Sequence, residues 1–489
     1  MKTLIRNPLI VTMNDQSDVV DKGAIVVDGD RLSYVGPIEW VPPGPFDRTL
    51  EADRMIAMPG MVNAHCHSPA NLVRGMMPSK PLEIWRAYYR ASLRGMREED
   101  FYASALLGGM EMLKSGATTV LDHFFGNQAC RFMGAGAAIL ALRDLGLRHV
   151  VSLTLSDKNY EETIPLGATG AKLADEIKRM SASEAKATQA WLDDCEAFIE
   201  TFHAPEKLTT ACPGPSAVQR CTDELLTQSA EMAHKKNLPL HIHLAETKAQ
   251  AVTGQRVYGT SLLAHLDAIG VLAPNLSLAH SIWIEPGDVE LFVKRQATAV
   301  HNPASNLRIG SGLAPVKQFI AAGVNVGLGT DGAASNDGQN MFDAVRLAAL
   351  IHNQAGTDFR QWVTPAQGLA MATRNGAHAF GLEAGVLAPG KLADIVLLRR
   401  DTPAFTPLND VIGQLVFCEN GNSVDTVIVN GEIVVESGSL KRIDEREVLQ
   451  CAERARQRLD PSIQRELTAA GSMEGALAEM YFRVFENKP

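Results

Sequence analysis

Apolar residues along most of the chain fall into short runs that alternate with longer amphipathic stretches. From about residue 56 onward, eight runs have strand length: residues 56–64, 118–123, 149–155, 208–212, 238–244, 276–280, 297–302 and 324–329. The apolar residues between them recur with a helical period, as in residues 98–114, 223–235, 284–295 and 313–322. Strands alternating with helices are typical of a parallel α/β sheet, and eight such units predict a closed, TIM-like (β/α)₈ barrel.

Both ends of the chain are rich in short strands. The N-terminal part has strand-like runs at residues 4–13, 24–27 and 32–35. The part after the barrel has them at residues 395–398, 424–429 and 432–436. We expect these ends to pair into one small composite β-sandwich domain. The predicted division is residues 1–58 with 382–440 for this domain, 59–381 for the barrel and 441–489 for a helical tail. A long helical pattern at residues 178–203 interrupts the barrel between its third and fourth strands.

Composition narrows the class of protein. Lys and Arg number 46 against 56 Asp and Glu, a net charge of −10, which argues against a nucleic-acid partner. The seven cysteines form no CxxC pair, so we expect reduced thiols in an intracellular protein. The first residues lack a signal-peptide pattern, and no window reaches the roughly 18 apolar residues of a membrane span. The sequence therefore predicts a soluble, cytoplasmic protein with no membrane partner.

Polar residues with metal-binding chemistry gather where the predicted barrel strands end. They are His65 and His67 on the first strand, His241, His243 and Glu246 on the fifth, His280 on the sixth and Asp331 on the eighth. Barrel enzymes place catalytic groups at these ends. Side chains alternate along a strand, so His65 and His67 share a face; His241 and His243 do too, and spacing alone does not choose between them. Neutral imidazoles with one carboxylate suit Zn²⁺.

Several segments, in this order, resemble the amidohydrolase superfamily. They are PGMVNAHCH (59–67), HIHLAET (241–247), LAH (278–280), NPASNLRIGSGLAPV (302–316), GTDGAASND (329–337) and LAPGKLADIVLL (387–398). The chain is most similar to the metal-dependent aminohydrolases: cytosine and guanine deaminases, methylthioadenosine/S-adenosylhomocysteine deaminases and triazine hydrolases. The resemblance runs from the first barrel strand to about residue 440, and it implies a homodimer or higher homo-oligomer.

The resemblance also implies roles for individual residues. The implied metal ligands are His65, His67, His243 and Asp331. Glu246 matches the carboxylate that carries protons, His280 matches the histidine that orients the attacking water, and Asp331 is placed to take that water's proton. The fourth strand contains no lysine to bridge two ions, so the resemblance implies one divalent metal ion per chain, Zn²⁺ by preference and Fe²⁺ as the alternative.

The implied reaction is hydrolysis at an amidine-like carbon of an N-heterocycle, with an amino or substituted amino group leaving. Two positions at which this chain differs from the methylthioadenosine deaminases bear on the identity of the substrate. Methylthioadenosine deaminases carry a Glu before the Trp at position 85, where this chain has Ile84, and a His on the fourth strand, where it has Gly214. These departures favour a triazine, pyrimidine or bare purine over a nucleoside. A nucleoside deaminase, a hydrolytic dehalogenase and a ring amidase stay as alternatives.

Three further residues are candidates for contact with the substrate. Trp85 is suited to stack on a heterocycle or, alternatively, to pack a helix on the barrel. His123 and Asn302 end the second and seventh strands, where they either reach the substrate or support the structure. A non-catalytic scaffold is disfavoured, because the chain keeps every ligand that the resemblance implies. A simple metal-storage protein would have no use for Glu246 beside the ion.

Overall fold

The computed structural model describes residues 1–127, 130–165, 187–354 and 356–486. Two parallel four-stranded sheets make up the barrel, which confirms the predicted fold class. Their strands are Met61–Cys66, Ala117–Phe124, Arg148–Leu155 and Thr209–Pro215, then Leu240–Leu244, Leu276–His280, Thr298–His301 and Val326–Leu328. Among the described residues, two backbone hydrogen bonds join the sheets: the His243 N–H donates to the Ser216 carbonyl at 3.4 Å, and the Asp331 N–H donates to the His65 carbonyl at 2.8 Å.

Helices surround the barrel and follow its strands. The α-helices are Leu82–Leu93, Glu98–Lys114, Arg131–Leu145, Thr188–Phe202, Asp223–Lys235, Lys248–Tyr258, Leu262–Ala268, Asp288–Arg295, Pro303–Arg308, Val316–Ala322, Met341–Ile351, Pro365–Met371, Arg374–Ala379 and Val411–Phe417. Short 3₁₀ helices are Ile38–Trp40, Ser68–Val73, Tyr160–Thr163, Pro205–Lys207, Val218–Arg220, His352–Gln354, Phe359–Gln361 and Pro403–Phe405. No helix in the described ranges has the length and apolar composition to cross a membrane.

Two predicted helices begin later than their apolar patterns suggested. The helix predicted at 284–295 starts at Asp288, after Gly287 with φ of 93°. The helix predicted at 313–322 starts at Val316, after Pro315. Backbone conformation at these two entry residues therefore outweighs the periodic pattern before them. The helix predicted at 178–203 falls partly outside the described residues.

Strands from both chain ends share one sheet. Its seven strands, in spatial order, are Ser439–Leu440, Glu432–Glu436, Val424–Val429, Ile395–Arg399, Met55–Pro59, Leu9–Val11 and Val19–Val20. A four-stranded sheet follows the order Arg31–Pro37, Gly23–Asp28, Lys2–Arg6 and Arg48–Glu51. Ile5 and Ile25 of the smaller sheet pack in one apolar cluster with Ile10 and Ile395 of the larger one. The boundaries of the predicted domain division stay a prediction.

The apolar run at residues 56–64 predicted a single barrel strand, but the structure divides it between two sheets. Met55–Pro59 pairs with Ile395–Arg399 in the seven-stranded sheet, and Met61–Cys66 begins the barrel. Gly60 lies at the break, where its N–H donates to the Asp394 carbonyl at 2.9 Å. A Cβ at position 60 would lie 2.1 Å from the Thr118 hydroxyl oxygen, so the chain changes sheets where no side chain fits.

Two C-terminal helices, Glu445–Gly471 and Glu474–Glu486, pack against the helices that follow the first barrel strand. Arg94 pairs with Glu466 at 2.8 Å, and Lys80 pairs with Glu474 at 2.6 Å. Tyr88 donates to the other oxygen of Glu474 at 2.7 Å. The tail is therefore held against the outside of the barrel by ion pairs and hydrogen bonds.

A buried ion pair connects the third barrel strand to the sheet of the chain ends. Arg148 donates from Nε and Nη2 to the two carboxylate oxygens of Asp394, both at 3.3 Å. Asn430 accepts from the same guanidinium at 2.9 Å and donates its N–H to Asp394 at 2.7 Å. Arg148 is 9% exposed and Asp394 is 2% exposed. Because water reaches neither charged group well, each relies on the other as its counter-charge.

We predict that Asp394→Ala destabilises the protein strongly, because it leaves the Arg148 guanidinium buried without a counter-charge. Breaking one partner of a buried pair costs about 3–5 kcal/mol. Thermal unfolding followed by circular dichroism should show a lower apparent Tm. Glu436→Ala is the control, since it removes the more exposed pairs to Arg48 and Lys441. Equal effects of the two substitutions would contradict a special role for the Arg148–Asp394 pair.

Candidate functional site

The barrel brings the polar strand ends together at one rim. Parallel strands of a barrel run in the same direction, so their carboxyl ends meet even when they are far apart in sequence. Two overlapping groups of residues within the described chain have donor atoms close enough to share an ion: His65, His67 and His243, and His65, His280 and Asp331. These residues come from four of the eight strand ends.

The distances within this cluster match the coordination sphere of one small ion. Asp331 Oδ1 lies 3.2 Å from His67 Nε2 and 3.5 Å from His65 Nε2. The Nε2 atoms of His67 and His243 are 3.4 Å apart. Ligands about 2.0–2.1 Å from a tetrahedral Zn²⁺ lie about 3.3 Å from one another. The three imidazoles and the carboxylate therefore have the spacing that one Zn²⁺ requires.

Hydrogen bonds at the other ring nitrogens orient two of these imidazoles. His67 Nδ1 donates to the His123 carbonyl at 2.7 Å, and His243 Nδ1 donates to the Ser216 carbonyl at 2.5 Å. A proton held on Nδ1 leaves the Nε2 lone pair directed at the centre of the cluster, which is how metal-binding histidines are usually supported. The backbone of neighbouring strands thus fixes both the tautomer and the ring orientation.

The third imidazole is oriented by His241. His65 Nδ1 donates to His241 Nε2 at 2.8 Å, and His241 Nδ1 donates to the Ser277 hydroxyl at 2.6 Å. His65 Nε2 is buried and has no hydrogen-bond partner within the described chain. His243 thus lies within the donor cluster and His241 behind it, a distinction that spacing along the strand did not supply.

Burial favours the neutral form of four histidines at this rim. It lowers the pKa of His65 to about 4 and places the pKa values of His123, His241 and His243 well below their usual range. Neutral imidazole is the form that binds metal ions. The donor set and its protonation state therefore fit a borderline divalent ion.

Two carboxylates lie near the same ring nitrogen of His280. Its Nε2 is 3.8 Å from Glu246 Oε1 and 3.8 Å from Asp331 Oδ2, and its Nδ1 donates to the Asn306 side-chain oxygen at 2.9 Å. Burial raises the pKa of Glu246. Burial also disfavours the charged form of Asp331, but the neighbouring histidines, His65 first, hold its pKa well below the usual range. The two acids therefore differ in their tendency to carry a proton.

Four residues at these strand ends have left-handed backbone conformations that residues with a Cβ rarely adopt. The φ angles are 43° at Ala245, 72° at His280, 48° at Ser281 and 61° at Asp331. Each such residue costs roughly 1–2 kcal/mol relative to the right-handed region. Strain of this kind tends to collect at functional sites, where the surrounding structure enforces it. Here it turns the chain sharply at the ends of the fifth, sixth and eighth strands.

A cavity that is partly open to solvent lies above the cluster. Trp85 is on its wall, stacked on Tyr89 with a centroid separation of 4.9 Å, and its Nε1 donates to the Ala334 carbonyl at 3.1 Å. Arg220 and Gln250 also line the cavity and were not predicted from the sequence. Gln250 lies only four residues after Glu246, and this closeness in sequence could have identified it as a candidate residue of the site.

The other two predicted substrate contacts lie away from the cavity wall. His123 is fully buried against the rings of His67 and His243, with centroid separations of 5.8 Å and 4.8 Å, and its Nδ1 bonds to the Ser152 hydroxyl at 2.7 Å. Asn302 is also fully buried, and its side-chain nitrogen is 3.4 Å from His280 Nδ1. Both residues contact the histidines of the cluster from behind.

The structure gives local reasons for the two departures from the methylthioadenosine deaminase pattern. A Cβ at Gly214 would lie 2.9 Å from the His123 ring and 2.9 Å from the Ser152 hydroxyl, so the imidazole of His123 excludes a larger residue there. Ile84 packs in an apolar cluster with Leu477 and Met480 of the C-terminal helix. Position 84 therefore helps to dock the tail.

The protein is similar in sequence to two curated deaminases. It is 33% identical over 438 residues to the 5′-deoxyadenosine deaminase of Methanothermobacter thermautotrophicus, covering 89% of this chain and 94% of the relative. It is 35% identical over 455 residues to the 5-methylthioadenosine/S-adenosylhomocysteine deaminase of Moorella thermoacetica, covering 91% and 97%. Both alignments cover about nine tenths of this chain.

Solved structures show the same architecture with bound zinc. The atrazine chlorohydrolase of Arthrobacter aurescens TC1, complexed with zinc, superposes with a TM-score of 0.81 at 26% identity, covering 93% of this chain and all of that one. The sequence pattern of the amidohydrolase family matches residues 56–434. These findings confirm the predicted class, a hydrolase that acts on C–N bonds other than peptide bonds. The chain belongs to the amidohydrolase family.

Proposed function

We propose that this protein is a metal-dependent deaminase that removes the exocyclic amino group of the adenine ring in a 5′-modified nucleoside. The observation that carries the proposal is the placement of Glu246, His280 and Asp331 side by side above the imidazole cluster. The activities named for the two curated relatives support a nucleoside, whereas the departures at positions 84 and 214 favoured a smaller heterocycle. Those departures now have local structural reasons, which weakens the case for the smaller substrate.

We assign the metal to the Nε2 atoms of His65, His67 and His243 and to Asp331, as one divalent ion per chain. Zn²⁺ fits the donor set best, with Fe²⁺ as the alternative. A divalent ion bound there supplies a nucleophile near neutral pH, because coordination lowers the pKa of water from 15.7 to about 7. One ion is proposed because the fourth strand, Thr209–Pro215, carries no lysine to bridge a second.

The residues around the cluster perform the proton transfers. Asp331 takes the proton of the attacking water, and His280 holds that water between the two carboxylates. Glu246 delivers a proton to the ring nitrogen as the carbon is attacked. The proton that Asp331 took from the water then reaches the departing amine, and the hydroxyl proton left on the new C–O group returns to Glu246. The oxygen of water replaces the amino group on the ring carbon, the C–N bond breaks, and ammonia leaves.

Trp85 is the best placed of the three predicted substrate contacts, since its ring faces the cavity. We propose that it stacks on the heterocycle, with Tyr89 supporting it from behind. His123 and Asn302 act instead on the site itself, by packing against His67 and His243 and against His280. Under every alternative considered for the substrate, the binding partner is a small N-heterocyclic molecule.

We predict that His241→Gln weakens metal binding without unfolding the barrel, because it removes the acceptor that orients His65. Loss of such an outer partner typically costs about 10–100-fold in metal affinity or activity. Competition with a zinc chelator, with metal content measured by mass spectrometry, reports the change. His149→Gln is the matched control, since His149 is equally buried and hydrogen-bonded to Thr209 but lies at the start of its strand. Equal metal loss in both variants would contradict the role assigned to His241.

We predict that Glu246→Gln keeps its metal and loses turnover, because it removes the proton carrier and leaves the ligands in place. General acid–base groups contribute about 10²–10⁴-fold, so kcat should fall by at least that range. Glu231→Gln is the matched control: it makes the same substitution on an exposed helix surface away from the site and should leave kcat unchanged. A Glu246→Gln enzyme with metal bound and near-normal kcat would falsify the assignment.

We predict that the wild-type protein releases ammonia from adenosine-type nucleosides. The panel contains 5′-deoxyadenosine, 5′-methylthioadenosine, S-adenosylhomocysteine, guanine, cytosine and a chlorinated s-triazine, with ammonia and chloride measured separately. The highest kcat/KM should fall on one of the three nucleosides, because both curated relatives are named as deaminases of 5′-modified adenosines. Ammonia from guanine or cytosine alone, or chloride from the triazine alone, would favour the smaller-heterocycle or dehalogenase alternatives.

A further inference from the structure

Gln250 is a buried amide in the wall of the catalytic cavity, outside the group of residues that carry protons or hold the metal. It lies in helix Lys248–Tyr258, which begins directly after the turn that contains Glu246. Only 6% of its surface is exposed. Burial of an amide is unfavourable unless its polar atoms are hydrogen-bonded, so both ends of this side chain require partners.

One end of the Gln250 amide has a partner within the protein. The Glu246 N–H donates to Gln250 Oε1 at 3.0 Å. Because an N–H donor faces this end, the end must be the oxygen, and the two hydrogens of Nε2 are at the other end. Within the described residues, Nε2 forms no hydrogen bond. A molecule in the cavity therefore meets an amide donor whose hydrogens are not used by the protein.

Hydrogen bonds also fix the backbone that carries this amide. The Gln250 N–H donates to Thr247 Oγ1 at 3.3 Å, and the Thr247 hydroxyl donates to Glu83 Oε1 at 2.5 Å. Glu83 is on helix Leu82–Leu93, which also carries Trp85. The proton carrier, the amide and the helix of the stacking ring are thus connected, and a donor held in this way loses little freedom when a ligand binds.

The attachment of Gln250 to Glu246 indicates which part of the substrate the donor meets. Glu246 is assigned to protonate the ring nitrogen next to the attacked carbon, which is N1 of adenine. One carbon farther round the same ring is a second nitrogen, N3, with a lone pair in the plane of the ring. Since the Gln250 amide is bonded to the backbone of Glu246, its donor lies beside the group that acts on N1.

We propose that Gln250 Nε2 donates a hydrogen bond to N3 of the adenine ring and so determines specificity. The inference rests on the function proposed above and deepens it, because it identifies a ring atom that the site recognises without reacting with it. A carbon at this ring position has no lone pair and would leave the buried donor unpaired. Sites that hydrogen-bond a substrate atom discriminate strongly against analogues that lack that atom.

The first test compares kcat/KM for adenosine, 3-deazaadenosine and 7-deazaadenosine. The 3-deaza compound replaces N3 by carbon, and the 7-deaza compound makes the same change in the five-membered ring and is the matched control. Each replacement also alters the reactivity of the ring, so the measured quantity is the adenosine-to-analogue ratio in the wild type relative to that in a variant. Gln250→Met should lower the 3-deaza ratio by about tenfold, the effect of one hydrogen bond, and leave the 7-deaza ratio unchanged.

Two further variants distinguish recognition of the substrate from support of Glu246. Gln250→Glu keeps an oxygen for the Glu246 N–H, but its ionised carboxylate has no hydrogen to donate. It should lower the 3-deaza ratio as much as Gln250→Met does. A wild-type ratio in Gln250→Glu would show that Gln250 only holds the Glu246 backbone, and would overturn the proposal. Gln228→Met, on an exposed helix surface, is the matched control and should leave both ratios unchanged.

The second test measures binding without turnover. The Glu246→Gln protein keeps the backbone N–H that orients Gln250, and it is titrated calorimetrically with the same three nucleosides. We expect 3-deazaadenosine to bind about tenfold more weakly than adenosine, and 7-deazaadenosine to bind about as well as adenosine. The difference between adenosine and 3-deazaadenosine should disappear when Gln250→Met is added to Glu246→Gln.

The outcomes separate this inference from the proposed function. Binding that depends on N3 and on Gln250, without release of ammonia from any nucleoside by the wild type, supports the role of Gln250 and contradicts the deaminase assignment. Release of ammonia from adenosine, with 3-deaza ratios that no Gln250 variant changes, overturns the role of Gln250 and leaves the deaminase assignment in place. Neither binding nor turnover of any nucleoside would contradict both.

Discussion

The site depends on how each imidazole is held by its second nitrogen. A histidine binds a metal ion through one ring nitrogen only if the proton stays on the other, and here that proton is donated to a fixed acceptor in every case: two strand carbonyls and the ring of His241. The His123 carbonyl lies on the strand next to that of His67, the Ser216 carbonyl directly follows the strand next to that of His243, and His241 lies in the other four-stranded sheet from His65. The imidazoles of the proposed ligands are therefore oriented as a set only when the two sheets are correctly placed against each other.

The two places where the four-stranded sheets join, called seams below, show how the donor cluster depends on closure of the barrel. The two four-stranded sheets meet where His243 bonds to Ser216 and where Asp331 bonds to His65, and three of these four residues belong to the donor cluster. An open barrel would separate His65 and His67 from both His243 and Asp331. The strained backbone at Ala245, His280 and Asp331 is tolerated because packing around the closed rim enforces it.

Much of the fold was predictable because its signals are local. Alternating strands and helices indicated the barrel, and polar residues at strand ends indicated the rim. Three features depended on contacts distant in sequence and could not be predicted. The choice between His241 and His243 depends on a seam with the fourth strand, the break at Gly60 depends on the Thr118 side chain, and the position of His123 off the cavity wall depends on Ser152 of the next strand.

The close approach of His123 to Gly214 links two positions that are far apart in the sequence. Because a Cβ at 214 would lie 2.9 Å from the imidazole, a larger residue at 214 requires the His123 ring to move or to be replaced by a smaller side chain. Replacing His123 by a smaller residue would in turn leave a gap beneath the rings of His67 and His243. The size of the residue at 214 is therefore coupled, through His123, to the support of the histidines in the donor cluster.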